Sequence, residues 1–293
     1  MEEVNQFAPQ IAVIANPSTF HTQIAHELAL GKVHLLIEKP LSSAVEGVAE
    51  LIKVCRENNL VLMVGYNLRF APSLQFFRGL LSKEVIGDLL SVRCEVGQYL
   101  PSWRTETDYR QGVSARKELG GGALLELSHE IDYLRWVFGE VDWVRATLSQ
   151  QSKLEIDVED SVHMTIGFLS TKGEKQLVGT LNLDLIRHDH TRMCIVIGEK
   201  GTLRWNGLTG EVHLFEFRAS DWKKLYGREP QRDETYIAEW RDFIDSIQEK
   251  KNPQITGDDG LKVLQVIEAA RISSSTGTQE LTSYIDPIQW SSE

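Results

Sequence analysis

Cysteine is scarce: Cys55, Cys94 and Cys194 are the only three in 293 residues. An odd, widely spaced set with no C-x-x-C pair fits neither a disulfide framework nor a two-cysteine metal or redox motif. A reducing cytoplasm is the simple expectation. No apolar run approaches the ~20 residues of a membrane span, and no basic-then-apolar leader opens the chain. Cationic charge is in deficit, with 31 Lys and Arg against 42 Asp and Glu for a net charge of −11. That balance argues against nucleic acid or an anionic membrane surface as partner. Scattered Lys and Arg still leave room for a local cationic pocket. No G-x-G-x-x-G, G-x-S-x-G or phosphate loop occurs, and there is no internal repeat or low-complexity stretch.

What is present begins as a parallel α/β pattern. Ile11 to Ala15 is a continuous apolar run, as expected of a strand buried on both faces. Phe20, Ile24 and Leu28 are spaced for a helix, with Gly31 where a glycine cap would end it. Val33–Ile37 reads as a second strand. Ser43 with Glu46 reads as a capping box opening a helix through about Cys55, and Val61–Val64 is a third strand ending at Gly65. Strand, helix, strand, helix, strand is half of a doubly wound dinucleotide-binding sheet.

From about Leu68 the texture changes. A single helix is expected over Gly122 to Phe138. Strand-like runs follow at 141–149, 161–169, 176–185, 192–198, 202–206 and 211–217, with Lys172-Gly173 and Asn206-Gly207 among the turn formers. Strands without intervening helices imply a mainly antiparallel sheet. Helices at about 233–250 and 259–274 close the pattern. The expected fold is thus α/β followed by α+β: a partial Rossmann domain over 1–67, an open-sheet substrate and oligomerisation domain over 68–276, and a tail over 277–293. Trp205, Trp222, Trp240 and Trp290 are expected in the core or an interface.

Several motifs carry chemistry. Glu38-Lys39-Pro40 follows the second strand, where open α/β sheets bind ligands. An ammonium there suits a substrate hydroxyl and the alkoxide that develops as hydride leaves; Lys-Pro as a plain strand end is the alternative. In the 122–138 helix, Leu125, His129, Asp132 and Trp136 form a stripe opposite Leu124, Leu127, Ile131, Leu134 and Phe138. Asp132 at i+3 is placed to orient His129 as a general acid/base, or else the two make an ordinary surface pair. The glycines at 120–122 let the backbone enter close to a ligand. Tyr66, Asn67 and Arg69 follow the third strand, with Arg69 either at the crevice or paired with an acid between domains. Trp103-Arg104 and Tyr109-Arg110 offer aromatic and guanidinium groups for a ring, phosphate or carboxylate, or form a solvated loop. His188-Asp189-His190 has no further ligand cluster to make it a metal site.

In order along the chain, Ile14-Ala15-Asn16-Pro17-Ser18 with His21, Gly31-Lys32, Glu38-Lys39-Pro40, Gly65-Tyr66-Asn67-Leu68-Arg69-Phe70 and the Gly120–Asp132 segment resemble the glucose-fructose oxidoreductase/inositol dehydrogenase (Gfo/Idh/MocA) family. The resemblance implies an NAD- or NADP-dependent dehydrogenase or reductase of CH–OH groups. Its substrate would be a small sugar, sugar acid, cyclitol or nucleotide sugar. It places Asn16, Pro17, His21 and Glu38, with Pro40 and Asn67 nearby, along the nicotinamide. Lys39 would meet the reacting hydroxyl, His129 would be the acid/base, and Trp103 and Arg104 would approach cofactor or substrate. Tyr66, Arg69, Tyr109 and Arg110 are then substrate-side candidates. Homodimers or homotetramers through the C-terminal sheet are implied as well. Many relatives carry Asp four residues before the His, where this chain has Leu125; Glu126 and Asp132 are both candidate partners of His129. The glycine-rich turn and ribose-binding acid of the family are absent from this sequence, so an N-terminally truncated chain with weak cofactor binding is expected. The alternative is a non-catalytic sugar-binding or dimerisation protein on the same fold.

Overall fold

The computed structural model describes residues 7–170 and 175–284; the Lys172-Gly173 turn and Trp290 lie outside them. The first sheet has strands β1 (Ile11–Ile14), β2 (His34–Glu38) and β3 (Leu62–Gly65), all parallel in the order β1-β2-β3. Helices α1 (His21–Leu30) and α2 (Val48–Glu57) make the crossovers. The uninterrupted apolar character of β2 and β3 follows from burial: Leu35, Ile37, Met63 and Val64 are fully enclosed.

Four local expectations in this region need correction. The run at 11–15 is not buried on both faces, because β1 stands at the edge of the sheet and Val13 is exposed. Gly31 ends α1 at φ −77°, and the left-handed residue is Lys32 at φ 60°. Phe20 stays exposed instead of joining the helix's inner stripe. Ser43 and Glu46 form no capping box, because α2 begins later, at Gly47 in a left-handed conformation with no side-chain cap.

Beyond β3 come α3 (Pro72–Ser82) and β4 (Leu89–Gly97), neither of which the periodicity reveals. The expected single helix over Gly122 to Phe138 is two: α4 (Ala123–Glu126) and α5 (His129–Phe138). The following strands are β5 (Val141–Ser149), β6 (Ser161–Phe168), β7 (Val178–Asp184), β8 (Thr191–Gly198), β9 (Gly201–Asn206), β10 (Glu211–Glu216) and β11 (Lys223–Gly227). Helices α6 (Glu234–Glu249) and α7 (Gly257–Thr276) and the short β12 (Glu280–Leu281) follow.

The second sheet runs β11-β10-β9-β8-β4-β7-β6-β5-β12, antiparallel throughout except for the parallel β4–β7 pair. Its register separates the two faces by the two-residue period of a strand. Ala146, Met164, Leu181, Cys94, Cys194, Trp205 and Val212 align across seven strands, all buried. The adjacent row, Arg145, Thr165, Thr180, Arg93, Ile195, Arg204 and His213, retains solvent contact on the other face.

Helix α7 is a shared wall. Its Gly257 and Gly260 sit against Leu62, Ile52, Leu41 and Val64 of the first sheet's side, where any Cβ would collide. Further along, Ser273 and Ser274 accept the backbone N–H groups of Ala146 and Leu148 in β5. One continuous apolar core therefore joins both sheets. No described helix is long and apolar enough to cross a membrane.

Candidate active site

The carboxyl edge of the first sheet brings Lys39 out of β2 through a cis Lys39–Pro40 bond. Lys39 Nζ donates to the Glu126 carbonyl oxygen at 2.7 Å and lies 3.9 Å from the Glu126 carboxylate. Glu126 thus serves Lys39 in this arrangement, and among the described residues no hydrogen bond or ion pair joins it to His129. His21, buried at the start of α1, reaches the Asn16 carbonyl through Nε2 at 2.7 Å and the Pro40 carbonyl through Nδ1 at 3.0 Å. It ties the loop after β1 to the loop after β2, and burial lowers its pKa against the pull of those carbonyls. Asn16, Pro17, Glu38 and Lys39 are all part-exposed along this edge.

Opposite them stands the broken helix. Gly120 and Gly122 adopt φ 83° and 103°, conformations that L side chains rarely hold. A Cβ at 122 would strike the Glu159 carboxylate, which accepts the Leu124 N–H at 2.9 Å and caps α4. The backbone turns at Leu127-Ser128, and α5 starts on His129 itself. His129 Nδ1 is buried with no partner among the described residues. The Tyr66 ring meets the imidazole edge-on at 5.6 Å. Burial, then the charges of Lys39 and Arg192, drive the His129 pKa well down, so its neutral form dominates at pH 7.

The expected His129–Asp132 pairing is not formed. Asp132 is fully buried, with its carboxylate oxygens 2.6 and 2.9 Å from Arg69 Nη2 and Nε. The physical reason is Arg69, which arrives from the turn after β3 and occupies both carboxylate oxygens. Arg69 also reaches Asp259 of α7 at 3.1 Å, so its guanidinium is a buried clasp and is not free for substrate. Tyr66 is equally unavailable: it is fully buried, its hydroxyl 3.4 Å from Ser128 Oγ. Asn67 is spent on Thr235 at 3.0 Å, which docks the turn after β3 onto α6.

Trp103 is part-buried, donating from Nε1 to the Gln98 carbonyl, and Arg104 beside it is exposed. Arg110 is bound to Asp108 and Glu155, and the Tyr109 hydroxyl accepts the Glu155 N–H, so both brace their own loop. Tyr99 stacks on His188 at 4.3 Å, bringing the Trp103 loop beside the 185–190 loop. Among the described residues no His, Cys, Asp and Glu group is arranged to hold a metal.

Two residues near His129 escape sequence reasoning. Glu130 is fully buried, and Arg192 at the start of β8 donates to it at 2.7 Å, leaving its other oxygen without a hydrogen-bond partner among the described residues. Nothing local marks this pair, which spans 62 positions.

The two sheets and the helices between them make an α/β sheet followed by a large mixed sheet. Family models for the "Oxidoreductase family, NAD-binding Rossmann fold" and the "Oxidoreductase family, C-terminal alpha/beta domain" match residues 1–66 and 78–282. The chain belongs to the Gfo/Idh/MocA family of NAD(P)-binding oxidoreductases. The oxidoreductase YrbE of Bacillus subtilis is 25% identical over 274 residues, 90% of this chain and 75% of that protein. Levoglucosan dehydrogenase of Pseudarthrobacter phenanthrenivorans is 32% identical over 138 residues, 46% of this chain and 35% of that one. The chain spans 37% of the length of a Synechocystis oxidoreductase and 50% of an Escherichia coli 2,7-anhydro-N-acetylneuraminate hydratase. Among solved structures, a levoglucosan dehydrogenase in complex with NADH superposes with TM-score 0.81 at 24% identity, covering 93% of this chain and 80% of that one. That likeness shows the fold.

Proposed function

We propose that this chain carries the active site of an NAD(P)-dependent oxidoreductase acting on a secondary alcohol of a sugar, sugar acid, cyclitol or nucleotide sugar. One observation carries the reading: the Lys39 ammonium, at the edge of the first sheet, lies within electrostatic reach of the neutral His129 imidazole at the start of α5. The site fits a nicotinamide on its own terms. Asn16 and Pro17 flank the edge, and Ser18, beside Gly120, has a buried hydroxyl with no partner among the described residues. When bound, NAD(P)+ supplies the acceptor for the hydride leaving the substrate carbon.

Lys39 Nζ would exchange its Glu126 carbonyl for the substrate oxygen and stabilise negative charge developing there. His129, neutral at pH 7, would take the hydroxyl proton, leaving a carbonyl product. In the reverse direction the protonated ring would return it. Trp103 and Arg104 would close the outer side, and the same reading pairs chains through the uncovered face of the second sheet.

The test is reduction of NAD+ and NADP+ with a panel of sugars and cyclitols, comparing wild type with Lys39→Ala and His129→Ala. Each substitution is expected to lower kcat/KM by about 10²–10⁴-fold. Rates equal to wild type in both variants would remove the assigned roles.

A further inference from the structure

An acid beside the carboxyl end of β2 plays no part in the chemistry proposed above. Glu239 of α6 is 3% exposed, and its Oε1 has no hydrogen-bond partner among the described residues. Glu38 of β2 and Asp242 of α6 lie within electrostatic reach of it. Gly65 gives Glu38 room: Glu38 Oε2 is 3.2 Å from where a Cβ at 65 would stand, so the carboxylate leans across the end of β3.

The surrounding groups leave this pair of acids uncompensated. Tyr236 of α6 lies near both and is itself within reach of Arg192. Arg192 is committed to Glu130, Arg69 to Asp132 and Asp259, and Arg228 to Glu234. Asn67 and Thr235 are bonded to each other. Among the described residues no cation pairs with Glu38 or Glu239. An unpaired buried carboxylate is costly, and two neighbouring ones relieve the cost by keeping one proton. Burial first, then Glu38, pushes Glu239 up to about 8.

We propose that Glu239 is a positioning residue: as a neutral acid it keeps a proton beside Glu38, and so fixes the end of β2 from which Lys39 emerges. Its importance for turnover rests on the role given to Lys39 above, whereas the retained proton stands independently of that role. With both acids ionised, repulsion would press α6 away from the turn after β3 and disturb Glu38 and Lys39 together.

The sign of the pH effect follows from the raised value. Between the ordinary carboxylate range and about pH 8, the folded chain binds a proton that the unfolded chain has released. Stability therefore falls as pH rises through that window and levels off above it.

The experiment is a carbon-13 NMR titration of the carboxyl-labelled glutamates in the full chain, for wild type, Glu239→Gln and Glu38→Gln. One carboxyl resonance is expected to titrate near pH 8 and to be missing from Glu239→Gln. The Glu38 resonance should take a step over the same range in wild type and lose that step in Glu239→Gln. In parallel, the thermal midpoint of Glu239→Gln should gain on wild type as pH is raised through this window. A Glu239 resonance titrating in the ordinary carboxylate range would overturn the proposal. So would a Glu38 resonance indifferent to Glu239, or a thermal difference independent of pH. Should Glu239→Gln fail to fold, wild type and Glu38→Gln still assign both resonances and decide the matter. Neither measurement requires cofactor or substrate, so a failed dehydrogenase assay and a failed Glu239 proposal are told apart.

Discussion

At the scale of single residues, Arg69 and Asp132 form a clasp that water barely reaches, with side-chain exposures of 4% and 1%. Removing Asp132 takes away the two shortest of Arg69's carboxylate bonds and leaves the buried guanidinium with Asp259 alone, a costly loss inside the core. Asp132→Ala is therefore expected to lower the urea midpoint far more than Asp108→Ala, whose partner Arg110 is exposed. Comparable losses in the two variants would contradict the clasp. Its position behind His129 also explains why Asp132 reads as a catalytic partner from sequence. The i,i+3 spacing is real, but the competing guanidinium lies 63 residues away, beyond any local pattern. Lys39 and His129 stand out in the sequence for the opposite reason: a strand end and a glycine-rich helix entry are local features.

At the scale of elements, two similar cap signatures have different outcomes. Ser43 and Glu46 are spaced like a capping box, yet Gly47 in a left-handed conformation sets the start of α2. Thr256 and Asp259 satisfy each other's backbone N–H groups at the start of α7. Thr256→Ala is expected to cost about 1 kcal/mol in chemical unfolding, whereas Ser43→Ala should lose no helix cap. A Thr256→Ala midpoint equal to wild type would show the box to be idle. The glycine-rich entry to the His129 helix was visible in sequence, but the break at Leu127-Ser128 was not. Its apolar residues continue the helical spacing across the interruption, so the period gives no sign of it.

At the scale of the whole molecule, the alternation of β5 through β10 made the second sheet readable, since one face is buried and the other meets solvent. Strand β4 hid between a helix and a loop. Its parallel pairing with β7 joins segments about ninety residues apart, a partnership no short-range pattern encodes. The wall formed by α7 was similarly hidden, as its small residues at 257 and 260 register only against the side chains they admit. Through this wall the first sheet's edge, with Lys39, is held against the second sheet's helices, with His129. The central claim is that the edge so held receives a nicotinamide. It is tested most directly by titrating the chain with NADH, with reduced nicotinamide mononucleotide in parallel, and following nicotinamide fluorescence. The contacts assigned here lie at the nicotinamide end, so both compounds are predicted to bind saturably and to compete with each other. The absence of saturable binding by either compound would contradict the claim.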